Sequence, residues 1–299
     1  MSGRPTTPEE VSIKPRWLWA AAIVCAIVFA LLTLDALTQP AAFFDPWLLR
    51  TVQRVDLPLI EPVIRPIDWL TDGPGAVLMW ALTMIALAAL RWWPAAAVAL
   101  MTPIGGVVNF VVGRLVVDRD RPDPADFTRV IVDTNGPAYP SGHVMGAVML
   151  YGFLFLLAAC IPSRALRFAA RTACLAVIVA SGFGRVWYGA HWPSDVVGAY
   201  AAGGLLLIVM VVVYQRLVAG RRPERLGAMA PSIGPSERTP SRTCRPANHR
   251  SVACRGIVLA AVMQMGIPLP HNRIGPYRTD HPTRTQDAGS GDRRTEDPI

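Results

Sequence analysis

Long apolar stretches separated by single charged residues dominate the chain from residue 17 to residue 217. A helix needs about 20 mainly apolar residues to cross roughly 30 Å of hydrocarbon. Five stretches meet this requirement clearly. A sixth carries Arg167 and Arg171 in its first turns, where long arginine stems can still reach the membrane surface. The pattern therefore predicts six membrane spans, over residues 17–34, 73–90, 92–113, 144–163, 166–184 and 196–215.

The pattern also divides the chain into three parts. Residues 1–16 form an N-terminal segment, residues 17–217 form the six-span domain, and residues 218–299 form a tail rich in Arg, Pro, Ser and Thr. Such a composition buries little apolar surface, so the tail is predicted to be disordered. The first span could also be a signal peptide. Its 18-residue apolar core exceeds the usual length, and no clear A-x-A site follows, which favours an uncleaved anchor.

The segment between the first two spans, FFDPWLLRTVQRVDLPLIEPVIRPIDWL (residues 43–70), mixes aromatic residues with single charges and four prolines. It is too interrupted to cross a membrane. The sequence predicts short helices lying at the outer interface.

Composition supports the membrane class, since 52% of the 299 residues are hydrophobic and 17% are charged. The net charge of +8 raises nucleic-acid binding as an alternative. However, 13 of the 29 basic residues follow Gly220, and no basic stripe is interleaved with aromatics, so no nucleic-acid partner is predicted. The five cysteines form neither a CxxC pair nor a Cys/His cluster, which gives no support for a disulfide framework or a zinc site.

Basic residues near the spans indicate the orientation, with eleven on one side of the membrane and eight on the other. This bias favours both termini in the cytoplasm. Spans three and five then end on the outer face, and spans four and six begin there. Eight residues are predicted to converge at these ends: Arg114, Arg121, Ser141, Gly142, His143, Arg185, His191 and Asp195.

The converging residues suit a bound phosphate. Arginine guanidinium groups bind phosphate oxygens in bidentate fashion. Ser141 and Gly142 stand where span four begins, and free backbone N–H groups at a helix start attract anions. Ser141 could also be a simple helix cap.

The two histidines suit phosphoryl transfer. One histidine can attack phosphorus while the other protonates the departing oxygen, although position in the chain does not say which. Asp195 follows His191 by four residues and is predicted to accept its ring N–H. No metal site is predicted, because the loop carboxylates alternate with Arg and Pro: Asp118, Asp120, Asp123, Asp126 and Asp133.

Three motifs in order resemble those of the type 2 phosphatidic acid phosphatase superfamily, which includes the vanadium haloperoxidases. The family patterns are K-x6-R-P, P-S-G-H and S-R-x5-H-x3-D. Here they read RLVVDRDRP (114–122), PSGH (140–143) and GRVWYGAHWPSD (184–195). Arg114 replaces the lysine and keeps a cation, whereas Gly184 replaces the serine and removes a hydroxyl. The resemblance covers roughly residues 17–217.

The resemblance implies an all-α fold, an integral membrane bundle of six transmembrane helices of the phosphatase and haloperoxidase type, followed by the disordered tail. It implies His191 as the nucleophile forming a phosphohistidine, Asp195 as its orienting group and His143 as the general acid. The phosphoryl group would be bound by Arg114, Arg121, Ser141, Gly142 and Arg185, and no metal or other cofactor is expected.

The expected function is hydrolysis of a lipid phosphate in the plasma membrane, with the site on the outer or periplasmic face. Undecaprenyl diphosphate is the favoured substrate, followed by phosphatidylglycerol phosphate and phosphatidic acid. Three alternatives remain: a lipid phosphotransferase, a non-catalytic lipid-binding or transport protein, and a haloperoxidase-like enzyme, against which the six spans argue because those relatives are soluble. The expected partners are the lipid substrate and the bilayer, and the sequence identifies no protein partner.

Overall fold

The structure is a computed structural model that describes residues 15–55, 58–123 and 138–220. The predictions for residues 1–14, for the loop carboxylates Asp126 and Asp133, and for the tail from residue 221 onward lie outside the described residues. Every regular element in the described part is helical, which confirms the all-α prediction.

Nine α-helices and two short helical segments make up the described chain. The α-helices are α1 (Pro15–Thr38), α2 (Asp45–Gln53), α3 (Ile60–Thr71), α4 (Gly73–Ala89), α5 (Trp93–Ala99), α6 (Ile104–Phe110), α7 (Gly142–Leu157), α8 (Arg164–Trp187) and α9 (Pro193–Ala219). A π-helical segment (Val111–Val117) continues α6, and a 3-10 turn (Ala158–Cys160) ends α7.

The helices form a multi-pass membrane bundle. Five helical stretches of the described chain are long and apolar enough to cross a membrane, at Arg16–Thr38, Trp93–Val117, Gly142–Cys160, Arg164–Trp187 and Pro193–Ala219. The predicted second span forms α4, which has only 17 residues and joins α3 at a bend of 65°. Six spans are reached when this bent pair is counted as one.

Two segments with a less regular apolar pattern also form helices. The predicted span over residues 166–184, which carries two arginines in its first turns, forms α8. There the Arg167 side chain donates to the Ile161 carbonyl at 3.2 Å, and the Arg171 guanidinium lies 5.1 Å from the centroid of the Phe155 ring. These contacts accommodate both arginines at the helix start. The interrupted segment between the first two spans forms the short helices α2 and α3, as predicted, and their position at the outer interface stays a prediction.

The core of the bundle lies around α7, which packs on α8 and α9, while α1 packs on α9. Five apolar side chains of α7 are buried there, namely Val144, Met145, Met149, Phe153 and Leu157. Because α7 is central, its first residues are held in place by several neighbours at once.

Tyr139, just before α7, is fully buried and fixes where that helix begins. Its hydroxyl lies 3.0 Å from the Thr33 hydroxyl on α1, and its ring stacks on Phe29 with centroids 6.1 Å apart. On α9, Gly198 faces the same ring so closely that an added Cβ would come within 2.5 Å of it. The glycine is therefore required for the close approach of α9 to this anchor.

We predict that Gly198→Ala displaces Tyr139 and destabilises the bundle. Overpacking a filled core costs about 1–3 kcal/mol, so the thermal midpoint in detergent should fall by several degrees. Gly146→Ala is the matched control, because nothing lies within 4 Å of its added Cβ. Equal thermal midpoints for the two variants would contradict this role of Tyr139.

Candidate active site

His191 lies in the turn between α8 and α9 with its ring buried. The ring nitrogen Nδ1 is 2.7 Å from the Ala138 carbonyl, and Nε2 is 3.3 Å from a guanidinium nitrogen of Arg121. A carbonyl oxygen can only accept, so Nδ1 carries the proton. The lone pair of Nε2 therefore faces Arg121, and this nitrogen is the one available for attack.

Burial keeps the His191 ring uncharged. It lowers the pKa of His191 to about 4, because the effect of burial, assisted by the positive charge of Arg121, outweighs the opposing effect of the Asp195 carboxylate. At neutral pH His191 is therefore a neutral imidazole, the form that a nucleophile requires.

Asp195 differs from its predicted role in one respect. Its Oδ2 atom lies 3.7 Å from Nδ1 of His191, which is beyond hydrogen-bonding distance, and the Ala138 carbonyl takes the place expected for the carboxylate. Asp195 instead accepts the Trp192 backbone N–H at 2.8 Å, as expected for an acidic residue in the first turn of a helix. It acts on His191 by charge and by fixing the start of α9.

The partner of Asp195 is Arg119, a residue that the sequence analysis did not select. Arg119 is buried and donates to Asp195 at 2.9 Å, to Asp45 at 3.0 Å and to the Ser194 hydroxyl at 2.8 Å. Its Nε donates to the Pro40 carbonyl at 2.9 Å. One guanidinium thus joins the start of α2, the start of α9 and the segment that follows the π-helical turn.

Asp45 completes this buried network. It accepts the backbone N–H and the hydroxyl of Ser194 at 2.8 and 2.6 Å, and the Ala42 N–H at 2.8 Å. The buried carboxylates of Asp45 and Asp195 therefore both form ion pairs with Arg119, and further donors satisfy their remaining hydrogen-bonding capacity, as buried ions require.

The predicted anion site at the start of α7 lies directly beside α9. The Ser141 backbone N–H donates to the Asp195 carbonyl at 3.3 Å. The Ser141 hydroxyl is buried and has no protein partner among the described residues. Gly142 faces Asn109, whose Oδ1 would lie 3.1 Å from an added Cβ. A small residue and an unsatisfied hydroxyl at a helix start form a cradle that suits a phosphoryl oxygen.

The predicted arginines occupy different environments. Arg121 lies beside His191 and also donates to the Ala190 carbonyl. Arg185 is buried at the end of α8 and forms an ion pair with Asp68 of α3. Arg114 is 57% exposed and pairs with Asp118 at 3.1 Å, so its side chain is directed to a surface pair rather than to the histidines.

Packing accounts for the glycine at position 184. An added Cβ at Gly184 would lie 2.6 Å from Cγ2 of Ile64 on α3. The serine of the family motif would therefore collide with α3 in this chain, so the departure from the motif follows from how closely α3 covers α8.

His143, the second residue of α7, has a carboxylate partner that the sequence analysis also missed. Its Nε2 atom lies 2.6 Å from Oδ1 of Asp72, and the His143 side chain is 24% exposed. Asp68 lies in the last turn of α3, and Asp72 follows four residues later at the end of this helix. Asp68 contacts Arg185, and Asp72 contacts His143. This i, i+4 spacing was the signal in the sequence that could have indicated their shared face.

Comparison with known proteins gives two findings. A family model, the PAP2 superfamily, matches residues 94–219. The fold is similar to the crystal structure of the first transmembrane PAP2-type phosphatidylglycerolphosphate phosphatase from Bacillus subtilis, with a TM-score of 0.57 and 20% identity. That match covers 67% of this chain and 98% of the other. No curated protein sequence matches the chain significantly.

We predict that Arg119→Met destabilises the protein much more than Arg114→Met. Removing Arg119 leaves Asp45 and Asp195 as buried, uncompensated carboxylates, and breaking a buried pair costs about 3–5 kcal/mol. The Arg114 pair is exposed, and such pairs contribute about 0–1 kcal/mol. Denaturant unfolding in detergent micelles measures both. Similar losses for the two variants would mean that the network does not hold the site together.

Proposed function

We propose that this chain is a phosphatase of the PAP2 superfamily, whose family model matches residues 94–219, and that it cleaves a membrane lipid phosphate through a phosphohistidine on His191. The observation that carries the proposal is the state of His191. It is a buried, neutral imidazole with Nε2 beside Arg121. A nucleophilic nitrogen next to a cation that binds phosphate is what in-line attack on phosphorus requires.

In the first step Nε2 of His191 attacks phosphorus, and the bond from phosphorus to the lipid oxygen breaks. His143 supplies the proton that the departing oxygen needs. In the second step a water molecule attacks phosphorus, His143 takes the water proton, and His191 leaves as the neutral ring. The reaction balances without a metal ion.

The phosphoryl oxygens are proposed to lie between Arg121, the Ser141 hydroxyl and the backbone N–H groups at the start of α7. Arg185, which precedes His191 in the chain and lies near the end of α8, would add a second guanidinium once a phosphate competes with Asp68. These donors stabilise charge that builds up on the phosphoryl group in the transition state. Arg114 contributes to the local positive field more than to direct binding, because its partner is Asp118.

The substrate is proposed to be a lipid whose tail stays in the bilayer while its phosphate reaches the helix ends. The site would face the outer or periplasmic side of the plasma membrane, with both termini in the cytoplasm. Undecaprenyl diphosphate is favoured, because recycling of that carrier requires a phosphatase on this side. The B. subtilis protein of similar fold is a phosphatidylglycerolphosphate phosphatase, so phosphatidylglycerol phosphate is the main competitor, followed by phosphatidic acid.

The test is phosphate release by the purified protein in detergent and EDTA, with the three lipids as substrates. We predict release that EDTA does not reduce, and loss of at least about a thousandfold in His191→Ala, because the covalent route is removed. The fastest lipid identifies the substrate class. Release that EDTA abolishes, or that survives in the variant, would contradict the mechanism. An added alcohol that becomes phosphorylated in place of water would identify a phosphotransferase instead.

A further inference from the structure

Asp72 occupies the junction at which α3 and α4 meet at 65°. The next residue, Gly73, has a φ of +30°, a backbone conformation that favours glycine and that makes this sharp turn. Asp72 is the N-cap residue of α4, a position where aspartate usually accepts hydrogen bonds from the first helical turn. Here its side chain makes no capping hydrogen bond. The carboxylate is directed to Nε2 of His143 instead, at 2.6 Å.

The position of Asp72 is set by the fold around it and not by its contact with His143 alone. The Tyr151 hydroxyl on α7 donates to the Leu70 carbonyl at 3.3 Å. The Ser181 hydroxyl on α8 donates to the Thr71 hydroxyl at 3.4 Å. With the ion pair of Asp68 and Arg185, these contacts hold the last turn of α3 against both helices that carry the site.

The two histidines of the site therefore have different partners. His191 donates to a neutral backbone carbonyl and is buried, which favours the uncharged ring. His143 faces a carboxylate and is partly exposed, and a hydrogen bond between an imidazolium and a carboxylate is charge-assisted. When two titratable groups in one site have environments that favour different protonation states, one is suited to act as the nucleophile or base and the other as the acid.

We infer that Asp72 is the positioning residue of the general acid. Its carboxylate holds a proton on Nε2 of His143 and fixes the ring, so that the proton on Nδ1 is the one transferred. The inference rests on the proposed function, in which His143 protonates the leaving group. It adds a residue outside the three sequence motifs and outside residues 94–219.

The proton balance follows from this arrangement. As the bond between phosphorus and the lipid oxygen breaks, the Nδ1 proton moves to that oxygen, and His143 becomes neutral while Nε2–H stays on Asp72. When water attacks the phosphohistidine, Nδ1 takes one proton from the water. Free phosphate leaves, and the doubly protonated ring on Asp72 is restored. Asp72 stays ionised throughout.

The test compares two substrates that differ in their need for a general acid. One is the preferred lipid phosphate, whose alkoxide leaving group must be protonated. The other is a nitrophenyl phosphate that carries an alkyl chain on the ring, whose leaving phenolate is stable without a proton. We predict that Asp72→Asn lowers kcat for the lipid by roughly tenfold to a hundredfold, a part of what a general acid contributes. For the aryl ester kcat should change less than about threefold, and the wild type should hydrolyse this ester at least as fast as the lipid.

Two variants complete the comparison. His143→Gln should repeat the selective loss of Asp72→Asn with a larger amplitude. Asp68→Asn is the matched control, because it removes the same charge one turn earlier on α3 but contacts Arg185. It should alter KM and kcat for both substrates alike. A thermal midpoint close to that of the wild type shows that each variant is folded.

Equal losses on both substrates in Asp72→Asn, or no loss on either, would overturn the role assigned to Asp72 while leaving the phosphatase activity intact. A wild-type enzyme that hydrolyses the lipid but not the aryl ester would overturn it too, since the better leaving group should react first. A wild type inactive on both substrates would contradict the proposed function itself.

Discussion

The double ion pair of Arg119 is the interaction on which the geometry of the site depends. One buried guanidinium forms ion pairs with both Asp45 and Asp195, and these carboxylates accept backbone N–H groups just before α2 and α9 begin. The Asp195 carbonyl also accepts the Ser141 N–H, so the start of α7 is tied to the same point. Burying three charges is costly unless they are paired and fully hydrogen-bonded. The network meets this requirement, and it thereby fixes the elements that carry both histidines.

The surroundings of the two histidines differ in the way that the opposite tasks proposed for them require. His191 lies among buried groups with a backbone carbonyl on one nitrogen and Arg121 beside the other, which keeps the ring neutral. His143 lies nearer solvent against the Asp72 carboxylate. Position in the sequence did not indicate which histidine is the nucleophile. In the structure the two rings have different hydrogen-bond acceptors, a backbone carbonyl for His191 and a carboxylate for His143.

Apolar periodicity and the three motifs predicted the all-α bundle and most of the residues that meet in the site. They did not predict the partners, because Asp45 and Asp68 lie in a segment whose prolines and charges indicate only interfacial helices, and Asp72 lies just after that segment. Arg119 stood between two motif arginines and had no feature to mark it as the buried one. The i, i+4 spacing predicted a hydrogen bond from the His191 ring to the Asp195 carboxylate. In the structure this carboxylate instead accepts hydrogen bonds from Arg119 and from the Trp192 N–H, which the spacing could not reveal. Likewise, the family motif gave Arg114 a phosphate role that its exposed pair with Asp118 does not favour.

The central claim is that phosphate is transferred to His191, and a rapid-quench single turnover with excess enzyme and phosphate-labelled lipid tests it most directly. The account predicts a transient phosphoenzyme that is stable in base and labile in acid, with the label on the peptide that contains His191, and no labelled enzyme in His191→Gln. Turnover with no label on the enzyme, or with the label on another residue, would contradict the account and favour direct attack by water or a different nucleophile.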